Sequence, residues 1–348
     1  MAQTQTASSK AETYRWGCEI ECFLPDQAIN ELRISIGSYH HGHPLPAPFP
    51  QGWTAERDGS LHTERRGYVA IEIVSPVLRG RAGIEQVKQV AQTLKELGAA
   101  VNTSAGLPVH IGVQSVAGDR FSEVAEWVAK LLYHVAMHET ALYASTGTHR
   151  RENGGYARSI KAQKNAADRV RRAPNARKPD ALEDAVYGLA RYHTLNLTNL
   201  FTRKATVEFR HGAGTVEWTK MVAHIQMALA LCERATETAK MDWGAVASER
   251  TYHVRGKGLR ELNRFFYLAG WTLGRRDVGK SEVAMARWIA DLADLKPVKR
   301  ELKRLARKYD RAAGLLKLDR VGVIRRAVGG EPFPKRPQRL LAGEAFAP

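Results

Sequence analysis

The chain has 348 residues, 44% of them hydrophobic and 26% charged, which excludes a disordered chain, a collagen-like fibre and a disulfide-stapled miniprotein. Lys and Arg number 53 against 36 Asp and Glu, a net charge of +17, which speaks to partners and solubility rather than to fold. No stretch offers the roughly 18 uncharged apolar residues of a membrane span, and Met1 to Lys10 is Gln/Thr/Ser-rich with no apolar run before a cleavage site.

Residues 1–12 are expected to be disordered. Thr13 to Leu24 then alternates like a strand, and Gly37 to Gly52, rich in Pro, His and Gly, reads as a loop. Its His40-His41-Gly42-His43 tract has no matched second half and is expected to be polar loop rather than a metal site. Tyr68 to Val77 is a second strand. Gly83 to Leu97 has helical spacing, with Gly98 placed to end it. Gly106 to Val113 is a third strand and Phe121 to Tyr143 a long amphipathic helix. Tyr192 to Leu200 and Ala205 to His211 read as paired strands turning at Thr202-Arg203-Lys204. Trp218 to Lys240, Leu259 to Leu268 and Glu282 to Leu292 are helical. Mixed runs without βαβ regularity favour an α+β fold with an antiparallel sheet.

Two segments hold the excess positive charge. Arg150 to Lys178 has ten basic and two acidic residues; Lys296 to Arg339 has fifteen and four. The first carries breakers at Asn153-Gly154-Gly155, Pro174 and Pro179 and is long for a connection, so it is expected to be a loop or lid. The second begins as a basic helix. Either a solvated face or contact with an anionic partner accounts for them, and pI does not choose. Cys18, Cys22 and Cys232 form no paired framework, and free thiols in a reducing cytoplasm are the expectation.

The chemistry is concentrated on the strands. Glu19 and Glu21 stand two apart, so they share one sheet face with Ile20 opposite. Like charges on one face are unfavourable unless a cation lies between them. Glu72 is a lone acid inside the apolar run Val69 to Val74, and an unpaired buried carboxylate costs several kcal/mol. His110 sits in the same kind of setting. Glu208 and Arg210 share a face opposite Val207 and Phe209. Separate surface explanations for all four strands are harder to sustain than one shared cavity. Oxygen-rich ligands with one imidazole suit Mg²⁺ or Mn²⁺ rather than thiolate-bound zinc, and Arg210 suits a phosphate or carboxylate.

In order, Gly17-Cys18-Glu19-Ile20-Glu21, Glu56-Arg57-Asp58-Gly59-Ser60, Ala70 to Pro76 with Leu78-Arg79-Gly80, Gly106 to His110, Arg191 to Leu197, and Thr206 to His211 with Gly214-Thr215 make the chain resemble the amidoligase family of carboxylate–amine ligases, related to γ-glutamylcysteine ligase and glutamine synthetase. The likeness runs from about Tyr14 to Lys240. One departure is Pro108, which stands where the family often has the first of two histidines, so only His110 carries over.

The resemblance implies a curved antiparallel sheet forming a funnel flanked by helices and a catalytic domain over 13–250; a basic helical extension over 251–330 and a flexible tail over 331–348 are expected from the charge and breaker pattern and have no counterpart in the family. The resemblance also implies ATP entering one mouth and substrate the other, with Mg²⁺ between. Glu19, Glu21, Glu72, His110 and Glu208 would hold metal, and Arg210 the transferred phosphate. Asp58 is a candidate base, although Asp58-Gly59-Ser60 reads equally as a plain turn. Ser60, Arg79, Arg191, Asn196 and His211 are candidates for binding ATP or substrate. The implied reaction is ATP-dependent amide formation through an acyl phosphate, joining an amino-acid or peptide carboxylate to an amine. The alternative from the same residue types is a metal-dependent nuclease, which also needs clustered carboxylates and basic surface. A nucleic-acid-binding protein with a decayed ligase site is disfavoured by the intact acids and Arg210.

Overall fold

The computed structural model describes residues 14–63, 65–145, 155–160, 169–170, 172, 179–187, 189 and 191–241. The expected disordered terminus 1–12, most of the candidate lid 150–178, the extension 251–330 and the tail 331–348 lie outside them.

Seven strands form one antiparallel sheet: β1 (Trp16–Pro25), β2 (His43–Pro44), β3 (Thr54–Glu56), β4 (Tyr68–Val74), β5 (Val109–Gly112), β6 (Leu195–Asn196) and β7 (Thr206–Phe209). Their order is β2-β3-β4-β1-β5-β7-β6. The long strand β1 joins the two halves: its later residues pair with β4, and Trp16 to Cys18 pair with β5.

The helices are α1 (Asp26–Leu32), α2 (Gly80–Glu96), α3 (Gln114–Ala117), α4 (Phe121–Ser145), α5 (Pro179–Tyr187) and α6 (Trp218–Glu237). Helix α6 packs on α2, α4 and β5. Strict alternation divides the sheet. Trp16, Cys18, Ile20, Cys22 and Leu24 of β1, with Ile71, Ile73, Ile111, Val207 and Phe209, are buried in one core with the helices. The intervening residues, Glu19, Glu21, Glu72, His110 and Glu208, turn to the other face.

Helix α2 lies so close to β1 that Gly83 is required. A Cβ there would fall 2.8 Å from Trp16 Cζ2 and 2.9 Å from Leu78 Cβ. Alanine gains up to about 1 kcal/mol of helix propensity. Overpacking costs about 1–3 kcal/mol, and neither Trp16 nor Leu78 can swing aside inside the core. Gly83→Ala is therefore expected to lower the thermal unfolding midpoint; an unchanged or raised midpoint would show that the helix can lift off the sheet.

The expected α+β class with an antiparallel sheet is present. The expected strand Tyr192 to Leu200 is shorter: β6 has two residues, followed by a 3-10 turn over Thr198–Phe201. Asn196 is the physical reason, because its Oδ1 accepts the Thr198 N–H at 2.9 Å and the Thr198 hydroxyl at 2.8 Å and bends the chain away. The expected loop Gly37 to Gly52 contains β2, where Pro44 is tolerated because the strand is at the edge. All three cysteines are buried and free, as expected, and burial pushes the Cys18 and Cys22 thiols up to about 12. No helix among the described residues is long and apolar enough to cross a membrane.

Candidate active site

The polar face of the sheet lines a cavity of about 790 Å³. Register sets which side chains meet. Glu21 of β1 pairs with Glu72 of β4, and Glu72 with Glu56 of β3. Across β1, His110 of β5 pairs with Glu208 of β7, and Glu208 with Asn196 of β6. Two compact ligand sets result. One oxygen each from Glu21, Asp58 and Glu72 lie within 4.8 Å of one another, and so do one atom each from Glu19, His110 and Glu208.

The electrostatics of the two sets differ. In the first, burial and then the nearby Glu19, Glu21, Asp58 and Glu56 push the Glu72 carboxyl up to about 10. Glu21 Oε2 accepts the Gly106 N–H at 2.5 Å, and Asp58 Oδ1 accepts the Ser60 N–H at 2.6 Å. Asp58 thus makes the plain turn and joins the acid set at once.

In the second set His110 Nε2 lies 2.9 Å from Glu19 Oε1 without the alignment of an in-line hydrogen bond. Burial pushes the Glu19 carboxyl up, but His110, then Arg210 and Lys204, outweigh it and hold it at about 2. His110 is raised on balance, since Glu19 and Glu208 overcome its burial. Glu208 accepts from Arg210 Nη1 and, at 2.6 Å, from Asn196 Nδ2. Arg210 Nε also donates to the Tyr156 carbonyl at 2.9 Å, which holds the guanidinium plane in place.

Arg191 lines the same cavity and donates to the Tyr39 hydroxyl at 2.9 Å. Arg191 and Arg210 lie 5.4 and 6.0 Å from the centre of the Tyr192 ring. Residues 155–160 of the candidate lid are tied beside them. Arg158 N–H donates to the Tyr192 carbonyl at 2.7 Å, and Ile160 N–H to the buried Glu139 at 2.7 Å.

Of the residues expected from sequence, Glu19, Glu21, Glu72, His110, Glu208, Arg210, Asp58, Arg191 and Asn196 meet at this cavity. Three do not. Arg79 is exposed ahead of α2, and Ser60 serves the turn through its backbone. His211 is corrected most firmly: two residues past the end of β7, it keeps the parity of Val207 and Phe209 and is buried, its ring 5.7 Å from that of His224 on α6. Sequence reasoning left out Glu56, Lys204, Arg203, Tyr39 and His40, all of which line the cavity.

A second cavity of about 640 Å³ adjoins the first and shares Glu19, Val74, His110, Thr202, Arg203 and Lys204 with it. Trp16, Val74, Pro76 and Val77 give it apolar walls, and Arg15, Arg203 and Lys204 give it cations.

A family model described as "putative amidoligase enzyme" matches residues 12–232. The chain belongs to this amidoligase family. The match spans every strand of the sheet and both ligand sets, and it identifies the protein as an enzyme of ligase type. No curated protein matches the chain.

Proposed function

We propose that the protein is an ATP- and Mg²⁺-dependent carboxylate–amine ligase that activates its acid as an acyl phosphate. One observation carries the reading: two carboxylate sets and Arg210, from strands far apart in sequence, face a single cavity. A carboxylate is a poor electrophile for an amine, and phosphorylation supplies a leaving group.

The residues fit divalent metal. Glu72 is surrounded by four other carboxylates, an arrangement that a hard cation relieves. Glu21, Asp58 and Glu72 would hold one ion, and Glu19, His110 and Glu208 a second. Bound there, Mg²⁺ would neutralise the charge of the phosphates. Arg210, its guanidinium plane fixed by Glu208 and Tyr156, would bring its positive charge to the phosphoryl oxygens. Asn196 holds the other Glu208 oxygen, so the carboxylate keeps its orientation when Arg210 engages a ligand. The nucleotide base fits the apolar walls of the second cavity, with Arg15, Arg203 and Lys204 near the phosphates. The acid, an amino acid or peptide, enters the larger cavity, where Arg191 at the rim suits a second carboxylate.

The nuclease alternative expects acids along a groove open to a polymer; here they are set into a cavity with Glu21, Glu72 and Glu208 all buried. The basic segments 150–178 and 296–339 keep an anionic partner open, and a cytoplasmic home remains the expectation. A screen for ADP release across amino acids and amines with Mg²⁺, with products read by mass spectrometry, tests the assignment. ATP- and metal-dependent amide formation is expected. Polynucleotide cleavage without any amide product would replace the reading with the nuclease.

A further inference from the structure

We infer that His40 is the general base that frees the attacking amine, with Glu56 as its positioning residue and a primary amine as the acceptor class. The inference rests on the ligase reading above and adds the second half-reaction to it. His40 lines the larger cavity, and its side chain is 56% exposed, so an incoming ligand can reach it. Glu56 lies behind it with a side chain only 8% exposed. Glu56 Oε1 accepts the His40 backbone N–H at 3.2 Å and stands 3.8 Å from His40 Nδ1.

This pairing is built into the chain. His40 holds a left-handed backbone, φ 62°, which is uncommon for a residue other than glycine. Such conformations persist where the surroundings enforce them, often at functional sites. The Tyr39 ring lies tilted at 38° against the imidazole, the ring centres 3.7 Å apart, and the Tyr39 hydroxyl accepts from Arg191. Two residues on, Gly42 lets the loop close over the acid: a Cβ there would lie 2.7 Å from Thr54 Oγ1 and 3.3 Å from Glu56 Oε2.

The other candidates are committed elsewhere. Asp58 stands with Glu21 and Glu72, and His110, the other imidazole among the described residues lining this cavity, stands with Glu19 and Glu208. An alkylamine arrives as its ammonium, drawn to the Glu56 carboxylate beside His40. His40 Nε2 takes one proton, and Glu56 stabilises the imidazolium from the Nδ1 side. The freed lone pair forms the C–N bond at the acyl-phosphate carbonyl. The bond between the acyl carbon and the bridging oxygen breaks, the oxygen leaves with phosphorus, and the second proton departs with it as hydrogen phosphate.

The test uses two acceptors. Hydroxylamine carries no extra proton at neutral pH and needs no base; ethylamine does. The full chain is assayed with ATP, Mg²⁺ and a pool of the standard amino acids and of short peptides as acids. Hydroxamate is read by its ferric colour and ethylamide by mass spectrometry. His40→Asn preserves the left-handed backbone, which asparagine tolerates, and removes the imidazole. It is expected to lower ethylamide formation by about a hundredfold while largely sparing hydroxamate, in line with general-base contributions. Glu56→Gln is expected to shift the same ratio in the same direction by less. Equal loss of both products in His40→Asn, or loss of neither, overturns the assignment of the base. A wild type that makes hydroxamate but no ethylamide overturns it too, through the acceptor class, and leaves the ligase reading standing. A wild type that makes neither product removes the ligase reading and this inference with it.

Discussion

Arg210→Lys is expected to slow ADP release by about a thousandfold, equivalent to about 4 kcal/mol of transition-state stabilisation. The loss should exceed what charge alone explains, because lysine keeps the charge. What it cannot keep is the fork: one arm donates to Glu208, Nε donates to the Tyr156 carbonyl, and the plane between them is fixed. A lysine ammonium placed on Glu208 has no rigid second arm to aim at a phosphoryl oxygen. Deleting the charge outright would confuse the result, since removing one partner of a buried pair costs about 3–5 kcal/mol of stability. With lysine in place Glu208 retains Asn196 at 2.6 Å and a nearby cation, so the fold should hold. Thermal unfolding close to wild type together with the rate loss is the expected pair of results. Turnover within tenfold of wild type would remove Arg210 from the phosphoryl transfer.

The acids of this site could be found in the sequence because strands write a period of two. Glu19 and Glu21 declare a common face on a ten-residue strand, and Glu72 interrupts an apolar run where no solvent explanation serves. Glu56 follows the same rule, pairing with Glu72, yet β3 has three residues and is too short to show a period. Lys204 and Arg203 come from a turn, and Tyr39 and His40 from a loop, where spacing says nothing about direction. His211 illustrates the opposite error. Its parity, one residue past Arg210, already set it on the core face; its place in a recognisable motif argued otherwise, and parity prevailed. The fold shows the same division. Helices longer than four turns were legible from their apolar spacing, while β6 was overestimated because a single asparagine side chain redirects the backbone after two residues. The family likeness singled out Asp58, on a turn with no period, as a candidate base; its place beside Glu21 and Glu72 is set by the fold and was not legible in the sequence.

Glu72→Gln is expected to raise the stability of the metal-free protein above neutral pH while abolishing the stabilisation by Mg²⁺ and the ligase turnover. Burial and four neighbouring acids raise the folded Glu72 carboxyl to about 10 from an ordinary 4.5. The folded state therefore holds a proton that the unfolded chain releases, and stability falls as pH rises through that window. The contribution is complete below the unfolded value and is lost progressively up to the folded one. At about 1.4 kcal/mol per pKa unit, the loss across neutral pH amounts to several kcal/mol for the metal-free chain. Glutamine keeps the shape of the protonated acid and cannot ionise, so unfolding midpoints in EDTA should decline less steeply from pH 5 to pH 9 in the variant. Mg²⁺ reverses the balance in the wild type, because it binds the carboxylate and displaces the proton; its stabilising effect should grow with pH. A variant without Glu72 loses that growth. Parallel pH profiles for wild type and variant in EDTA, or an undiminished Mg²⁺ response in Glu72→Gln, would mean that Glu72 neither carries the buried proton nor exchanges it for metal.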